Sequence, residues 1–465
     1  KGNKRPRQSP DMDAIGRMRA LADSPGGLLA ASFIIGMLTR VAVLPFTYDY
    51  DIYHWAVVLQ NINSGNGLYE MDGYYYTPVW GYILGFMDLV WNSFLSIDVY
   101  GTKVWELLGV QDFDGIKHVA TVTSPEFNTA VKSMLILVDI AVGLVIRRLV
   151  TSLTGDNRKG DLGFALWFLC PLTIYMSSVQ ATFDNISGLL TLLSLILVLR
   201  RHHMLGGVLL MTGILLKLYP IFAAPVVLAL IYSRSGTIRK TASDASAFIA
   251  GGLIAFLAIM GPSIADGTVS KAFTFITDRM GSGPLIDLAF GIVGIVLGLT
   301  IMLYATYRMA ACGKERSDSE FLGLAMIALS GGVVSNMGPQ YPLVVLPILC
   351  AYIAAKDGGF RICWVLIGCG CALEALALNN YSLLMSLASY GPVQFDTIIS
   401  GLEWTEAEIV YGTSFRSIMN TVFSMVAMSG LFLIVLLYIR EDIEKRMPKV
   451  GALLSRIRSG GDTDA

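Results

Sequence analysis

Charge is the scarcest property of this sequence. Of its 465 residues only 15% are Asp, Glu, Lys or Arg, against about 25% in soluble domains. The deficit runs the whole length, with 54% hydrophobic residues and a mean hydropathy of +0.61. That excludes a soluble globular chain and leaves an all-α polytopic membrane protein. Histidine is nearly missing: His54, His118, His202 and His203 are too few and too scattered for a metal centre. Of the six cysteines (Cys170, Cys312, Cys350, Cys363, Cys369, Cys371), no two have CxxC spacing and nearly all fall in apolar runs. A disulfide framework and a zinc site are both excluded, and Cys369-Gly-Cys371 reads as packing. No P-loop and no GxGxxG opens a helix, so ATP-driven transport has no support. There is no nucleophile–His–acid set. With a net charge of −1, nothing points to nucleic acid. No metal, no cofactor, no internal repeat and no separately folding soluble domain is expected.

What is present is a series of apolar segments whose flanking Arg and Lys fall on alternate ends. A spanning helix needs about 20 apolar residues, and basic loops mark the cytoplasmic side. The basic stretch 1–26 carries no cleavable signal pattern and reads as a cytoplasmic tail. Gly27 to Phe46, interrupted only by Arg40, then runs outward. Asn128 to Ile146 returns to Arg147-Arg148, so residues 47–127 form an outer loop. In that loop Asp51 to Asn63 reads as a short interfacial helix. Thr77 to Leu95, which carries Asp88 and Asn92, lies in or on the outer leaflet. Asp161 to Val179 and Ile186 to Leu199 form the next pair.

Leu205 to Tyr232 has basic residues at both ends and would be roughly 42 Å long as one helix, too long for one crossing and too short for two. Pro220 removes a backbone donor and breaks it, giving a broken hairpin whose tip carries Lys217 toward the outer leaflet. Ser243 to Gly261, Leu285 to Tyr307, Phe321 to Val334, Pro342 to Ala355, Cys363 to Leu378 and Ile418 to Tyr438 then alternate, ending in a basic tail over 440–465. The expectation is one transmembrane domain over 27–439 with about twelve segments, both termini cytoplasmic, in the plasma membrane or, in a eukaryote, the endoplasmic reticulum.

Sorted by side, the basic residues of the inner face need no explanation beyond topology. The unusual polar residues gather outside: Asp49, Asp51, His54, Gln180, Asp184, Asn185, Lys217, Arg279, Gln340 and Tyr341. A carboxylate at a membrane exit is ordinarily just solvated. Two of them, followed by the aromatic, Gly-rich stretch to Tyr76-Thr77-Pro78, point to function, because a carboxylate against a low-dielectric wall can act as general base toward a hydroxyl. A lysine near the membrane either snorkels, pairs or binds something, and a lipid phosphate is the functional alternative for Lys217. Arg279 is a second phosphate ligand or a solvated loop residue. Asp184 is a site residue or a helix cap.

Asp49-x-Asp51-x-Tyr53, then Gly67-Leu-Tyr69, then Tyr76-Thr-Pro78 resembles the first outer loop of the GT-C membrane glycosyltransferases. The likeness is greatest to polyprenyl-phosphate-mannose-dependent enzymes: those adding the first mannose in GPI-anchor assembly and those acting on phosphatidylinositol mannosides. Lys217-Leu-Tyr-Pro220, with Pro225 after it, and Asn336 to Pro347 (NMGPQYPLVVLP) resemble later segments of the same family, and Gln180 to Asp184 is a looser match. The insertion from Asp98 to Pro125 and the segment around Arg279 depart from the pattern. The resemblance implies a GT-C-like fold and an inverting transfer of a sugar, mannose in these families, from a polyprenyl or dolichyl phosphate to a lipid or glycan acceptor on the outer or lumenal face. By the same resemblance Asp49 or Asp51 is the base. Lys217, Arg279, Gln340 and Tyr341 lie near the donor phosphate, and Tyr53, His54, Tyr76, Gln180, Asp184 and Asn185 contact the acceptor. The rival classes are a lipid or solute transporter, which would place its polar residues at the midplane, and an inactive relative serving as a structural subunit.

Overall fold

The structure is a computed structural model. It describes residues 24, 26–70, 74, 76–95, 122–273, 285–311, 318–335, 338–356, 359–378, scattered positions between 383 and 410, and 412–446. Arg279, Asn336, His118, Cys312, most of the 98–125 insertion, nearly all of the stretch 1–26 and residues 447–465 lie outside those residues.

Each of the twelve apolar segments is helical. In order the helices are α1 (Gly27–Val43), α2 (Tyr50–Asn63), α3 (Pro78–Phe94), α4 (Pro125–Thr154), α5 (Asn157–Phe168), α6 (Pro171–Tyr175), α7 (Asp184–Leu199), α8 (His203–Leu216), α9 (Ala224–Arg234), α10 (Ile238–Ala265), α11 (Val269–Ala272), α12 (Leu285–Ala310), α13 (Asp318–Ser335), α14 (Leu346–Lys356), α15 (Arg361–Leu378) and α16 (Phe415–Arg446). A small antiparallel pair, Glu408–Val410 with Thr413–Ser414, precedes α16. Among the described residues six helices are long and apolar enough to cross a membrane, or seven if α5 and the segment from Pro171 to Gln180 count as one span bent by 52°. Five further apolar helices are shorter. Twelve segments are therefore present, but only six or seven have the length of a full crossing.

Two stretches outside those segments fold as the amphipathic pattern predicts. Asp49 caps α2, its carboxylate accepting from the Asp51 amide, and Pro78 starts α3, where the missing N–H costs nothing. α3 leaves Tyr82, Phe86, Leu89 and Phe94 exposed along one side and packs Trp80, Leu84 and Met87 inward.

The basic helix ends meet at one end of the bundle. Arg147 bonds Asp161, Lys159 reaches the Ala355 carbonyl, Arg234 pairs with Asp318, Arg308 with Asp442, and Lys445 with Glu320. The broken segment is a hairpin: α8 ends at Leu216, a single 3-10 turn spans Tyr219–Ala223, and α9 returns. Its base is closed by Arg234, which donates to the Leu199 carbonyl just ahead of α8. Helix contacts are close where glycines allow it. A Cβ on Gly207 would strike the Phe248 carbonyl oxygen, and one on Gly251 the Met204 carbonyl, so α8 and α10 cross with backbones nearly touching.

Two sets of ionisable side chains inside the bundle are held by buried partners. Arg40 of α1 and Asp139 of α4, both fully buried, bond at 3.0 Å. Arg40 also donates to the Phe168 carbonyl at 2.8 Å, and Asp139 accepts from Asn185 at 3.0 Å. Lys132, also fully buried, donates to the carbonyls of Leu44 and Thr47 and to the Thr47 hydroxyl, and so terminates α1. Arg40→Met is expected to lower stability by about 3–5 kcal/mol, because it leaves the Asp139 charge buried and uncompensated. Arg40→Met combined with Asp139→Leu is expected to recover most of that loss. Thermal unfolding of the three proteins in one detergent checks this.

Candidate functional site

The opposite end of the bundle holds a cavity of about 640 Å³. Its walls come from α2 (Asp51, Trp55), the loop before α3 (Tyr76), the link into α7 (Gln180 to Asp184), the hairpin tip (Lys217), the turn at Gly338 to Tyr341, the end of α15 (Glu374, Leu378) and the start of α16 (Arg416, Asn420, Ser424). Every helix that crosses toward it arrives with its end remote from the basic cluster.

Local backbone irregularity places the polar groups. After α6 the chain forms a π-helical turn, Met176–Gln180, and Ala181 then takes a left-handed conformation at φ 63°. An L-residue pays for that conformation in strain, which persists only where the surroundings hold it. Here Trp55 Nε1 donates to the Ala181 carbonyl at 2.9 Å. The turn directs Gln180 and Asp184 into the cavity instead of onto a helix flank. At the hairpin tip the proline-broken backbone turns Lys217 extended between α8 and the 3-10 turn, and Thr77 ties the α3 entrance to the Leu215 carbonyl.

Lys217, 7% exposed, pairs with Asp184 at 3.4 Å. Its ammonium also lies 4.8 Å from the ring centres of Tyr76 and Phe183 and 5.6 Å from that of Tyr341, where ring faces attract a cation. Gln180 donates to Asp51 Oδ2 at 3.3 Å. Trp55, Tyr76, Trp80 and Phe183 form an aromatic block behind these groups. Asp51 sits on α2, outside the spanning helices. Burial raises its carboxyl above the ordinary carboxylate range, and nearby Lys217 and the Gln180 hydrogen bond only partly offset that. Burial likewise pushes the Tyr76 hydroxyl up to about 12, so it remains a neutral donor.

Among the expected site residues Asp51, Tyr76, Gln180, Asp184, Lys217, Gln340 and Tyr341 come together in the cavity wall. Asp49, Tyr53, His54 and Asn185 are not in that wall. Asp49 is the α2 cap and faces Lys132, His54 packs edge-on against Trp55, and Asn185 turns back to Asp139 and the Leu135 carbonyl. Glu374, Arg416, Asn420 and Ser424 were hidden in or beside segments read as plain membrane spans. Glu374 carried a usable signal, being the single carboxylate in the apolar run Cys363 to Leu378, where an ionisable group is costly enough to need a purpose. Among the described residues no group of three His, Cys, Asp or Glu side chains is placed to hold a metal ion.

A family model for the GPI transamidase subunit PIG-U matches residues 96–282, less than half of the chain. GPI mannosyltransferase 1 of Aspergillus fumigatus is 24% identical over 218 residues, covering 45% of this chain and 44% of that protein. This chain is similar to two kinds of GPI-related membrane protein, one named as a glycosyltransferase and one as a transamidase subunit.

Asp51→Asn is expected to raise the unfolding temperature at neutral pH. A carboxyl whose folded pKa is raised binds its proton more tightly folded than unfolded. Its ionised form therefore costs stability above the folded pKa, and the cost vanishes below the unfolded value of about 3.9. The gap between variant and wild type should narrow as pH falls, read by thermal unfolding across pH.

Proposed function

We propose that this membrane protein is an inverting glycosyltransferase moving a sugar, mannose by resemblance, from a polyprenyl or dolichyl phosphate to a hydroxyl of a lipid-linked or glycan acceptor. The observation that carries the reading is a carboxylate and a cation facing one cavity: Asp51 on α2 and Lys217 at the hairpin tip. Asp51 is the base. It takes the acceptor hydroxyl proton as that oxygen attacks the anomeric carbon. The bond from that carbon to the phosphate oxygen breaks, and the lipid phosphate leaves with the electron pair. Lys217, with Gln340 and Tyr341 beside it, offsets the charge that develops on the phosphate, and Asp184 holds the ammonium in place. Gln180 orients the base. Asp49 supports it indirectly as the cap of its helix. Donor and acceptor are substrates, and the scheme uses no cofactor and no metal. The likeness to a GPI mannosyltransferase supports the same reading.

A second reading is favoured by the PIG-U match: a non-catalytic subunit that uses the same cavity to hold a glycolipid. The transporter class loses weight because the polar wall gathers at one end of the bundle and not at its middle.

Transfer is measured in proteoliposomes with polyprenyl-phosphate-linked mannose and a membrane lipid extract as acceptor. Wild type is expected to turn over. Asp51→Asn should lose at least about 10²-fold, the low end of a general base's contribution, while remaining folded. Asp49→Asn should lose stability first and activity less. Loss confined to Asp49→Asn would reassign the base. Absence of transfer by wild type would favour the subunit reading. The acid limb of the rate should lie above the pH at which an ordinary carboxylate titrates, because Asp51 must be ionised to act.

A further inference from the structure

Part of the cavity wall is polar and has no part in the chemistry above. Glu374 is only 4% exposed, lines the cavity, and its Oε2 has no hydrogen-bond partner. The Ser424 hydroxyl from α16 serves the carboxylate, and Asn420, one turn earlier on that helix, offers a buried Oδ1 that is also unmatched. In the same cavity the Gln180 amide spends its nitrogen on Asp51, leaving Oε1 unmatched, and Asp184 Oδ1 is unmatched as well. These four atoms are all acceptors. Buried polar groups in folded proteins find partners, water included, so a molecule that takes the place of water along this wall must bring donors. It must bring several, spaced across one cavity. The oxygens of a phosphodiester bring none, and an acyl chain brings none at all. A ring carrying several hydroxyls fits, since each hydroxyl donates once and can accept from Ser424.

We infer that Glu374, with Asn420 and Ser424, forms a subsite that binds the hydroxyls of a polyhydroxylated ring, a sugar or cyclitol headgroup, in the cavity that Asp51 also lines. The inference rests on the reading that the cavity is a substrate site, but not on catalysis occurring there. Under the glycosyltransferase reading this wall holds the acceptor ring so that one hydroxyl faces Asp51. Under the subunit reading it grips a glycolipid headgroup directly. Glu374 is a substrate-binding residue in both, and its charge strengthens each bond it accepts.

The test uses the full chain in lipid nanodiscs and isothermal titration with four soluble probes. Methyl α-mannoside and myo-inositol supply hydroxyls without charge, tetramethylammonium supplies charge without donors, and inorganic phosphate supplies an anion. At least one polyol should bind saturably, and tetramethylammonium should not compete with it. Glu374→Gln, close in shape, should weaken that binding by about tenfold, the loss of one charge-assisted hydrogen bond. Asn420→Leu, on the partly exposed side of the wall, should weaken it too and serves if Glu374→Gln does not fold. In the transfer assay Glu374→Gln should raise the acceptor KM more than it lowers kcat, the reverse of Asp51→Asn. Polyol binding without any transfer would overturn the enzymatic reading and leave this one standing. No saturable polyol binding by wild type, binding unchanged in a folded variant, or phosphate binding in place of polyol would overturn this inference.

Discussion

The cost of burying charge in an apolar bundle organises this protein. Arg40, Asp139, Asp184, Lys132 and Lys217 are each held by a buried ion pair or by several hydrogen bonds, and that pairing determines which helices must touch. Asp184 and Asn185, consecutive at the start of α7, look in opposite directions. Asp184 meets Lys217 at the hairpin tip, and Asn185 meets Asp139, which holds Arg40. One dipeptide thus joins a structural ion pair linking α1 and α4 to the cation of the candidate site. The irregular backbone before it, a π turn followed by a left-handed Ala181, is what allows adjacent residues to serve both.

The same constraint explains why the site lies at one end of the bundle. Helices carry their basic residues at one end, where Arg234, Lys159, Arg308 and Lys445 lace the ends together. At the other end the chain is free to leave regular helix. The proline-broken hairpin, the turn at Gln340 and the entry to α16 all use that freedom. Their polar side chains converge against the aromatic block of Trp55, Tyr76, Trp80 and Phe183, which gives them a low-dielectric wall.

Two groups of polar side chains with different chemistry line one cavity. One holds the Asp51 carboxylate, bonded by Gln180, and the Lys217 ammonium, paired with Asp184. The other, built on Glu374, is rich in acceptors and suits a ring of hydroxyls. A catalyst and a glycolipid-holding subunit would share the second group and differ in their use of the first.

The positions of the apolar helices, the helices α2 and α3 between the first two of them and the break at Pro220 were all legible in the sequence. Each follows from local hydropathy, from the placement of basic residues and from the backbone limits of proline, which need no distant partner. So was the gathering of Asp51, Gln180, Asp184, Lys217 and Gln340 at one end of the chain's alternation. The sequence left Asp49 and Asp51 equivalent; only the capping of α2 turned Asp49 toward Lys132 and left Asp51 in the cavity wall. Lys132, Asp139 and Glu374 sat unremarked inside apolar runs, because hydropathy averages over a segment and cannot say which way one residue faces. That depends on the rotation of each helix against neighbours far away in sequence, a choice made by packing and by the pairing of buried charge, and therefore made only in the tertiary structure.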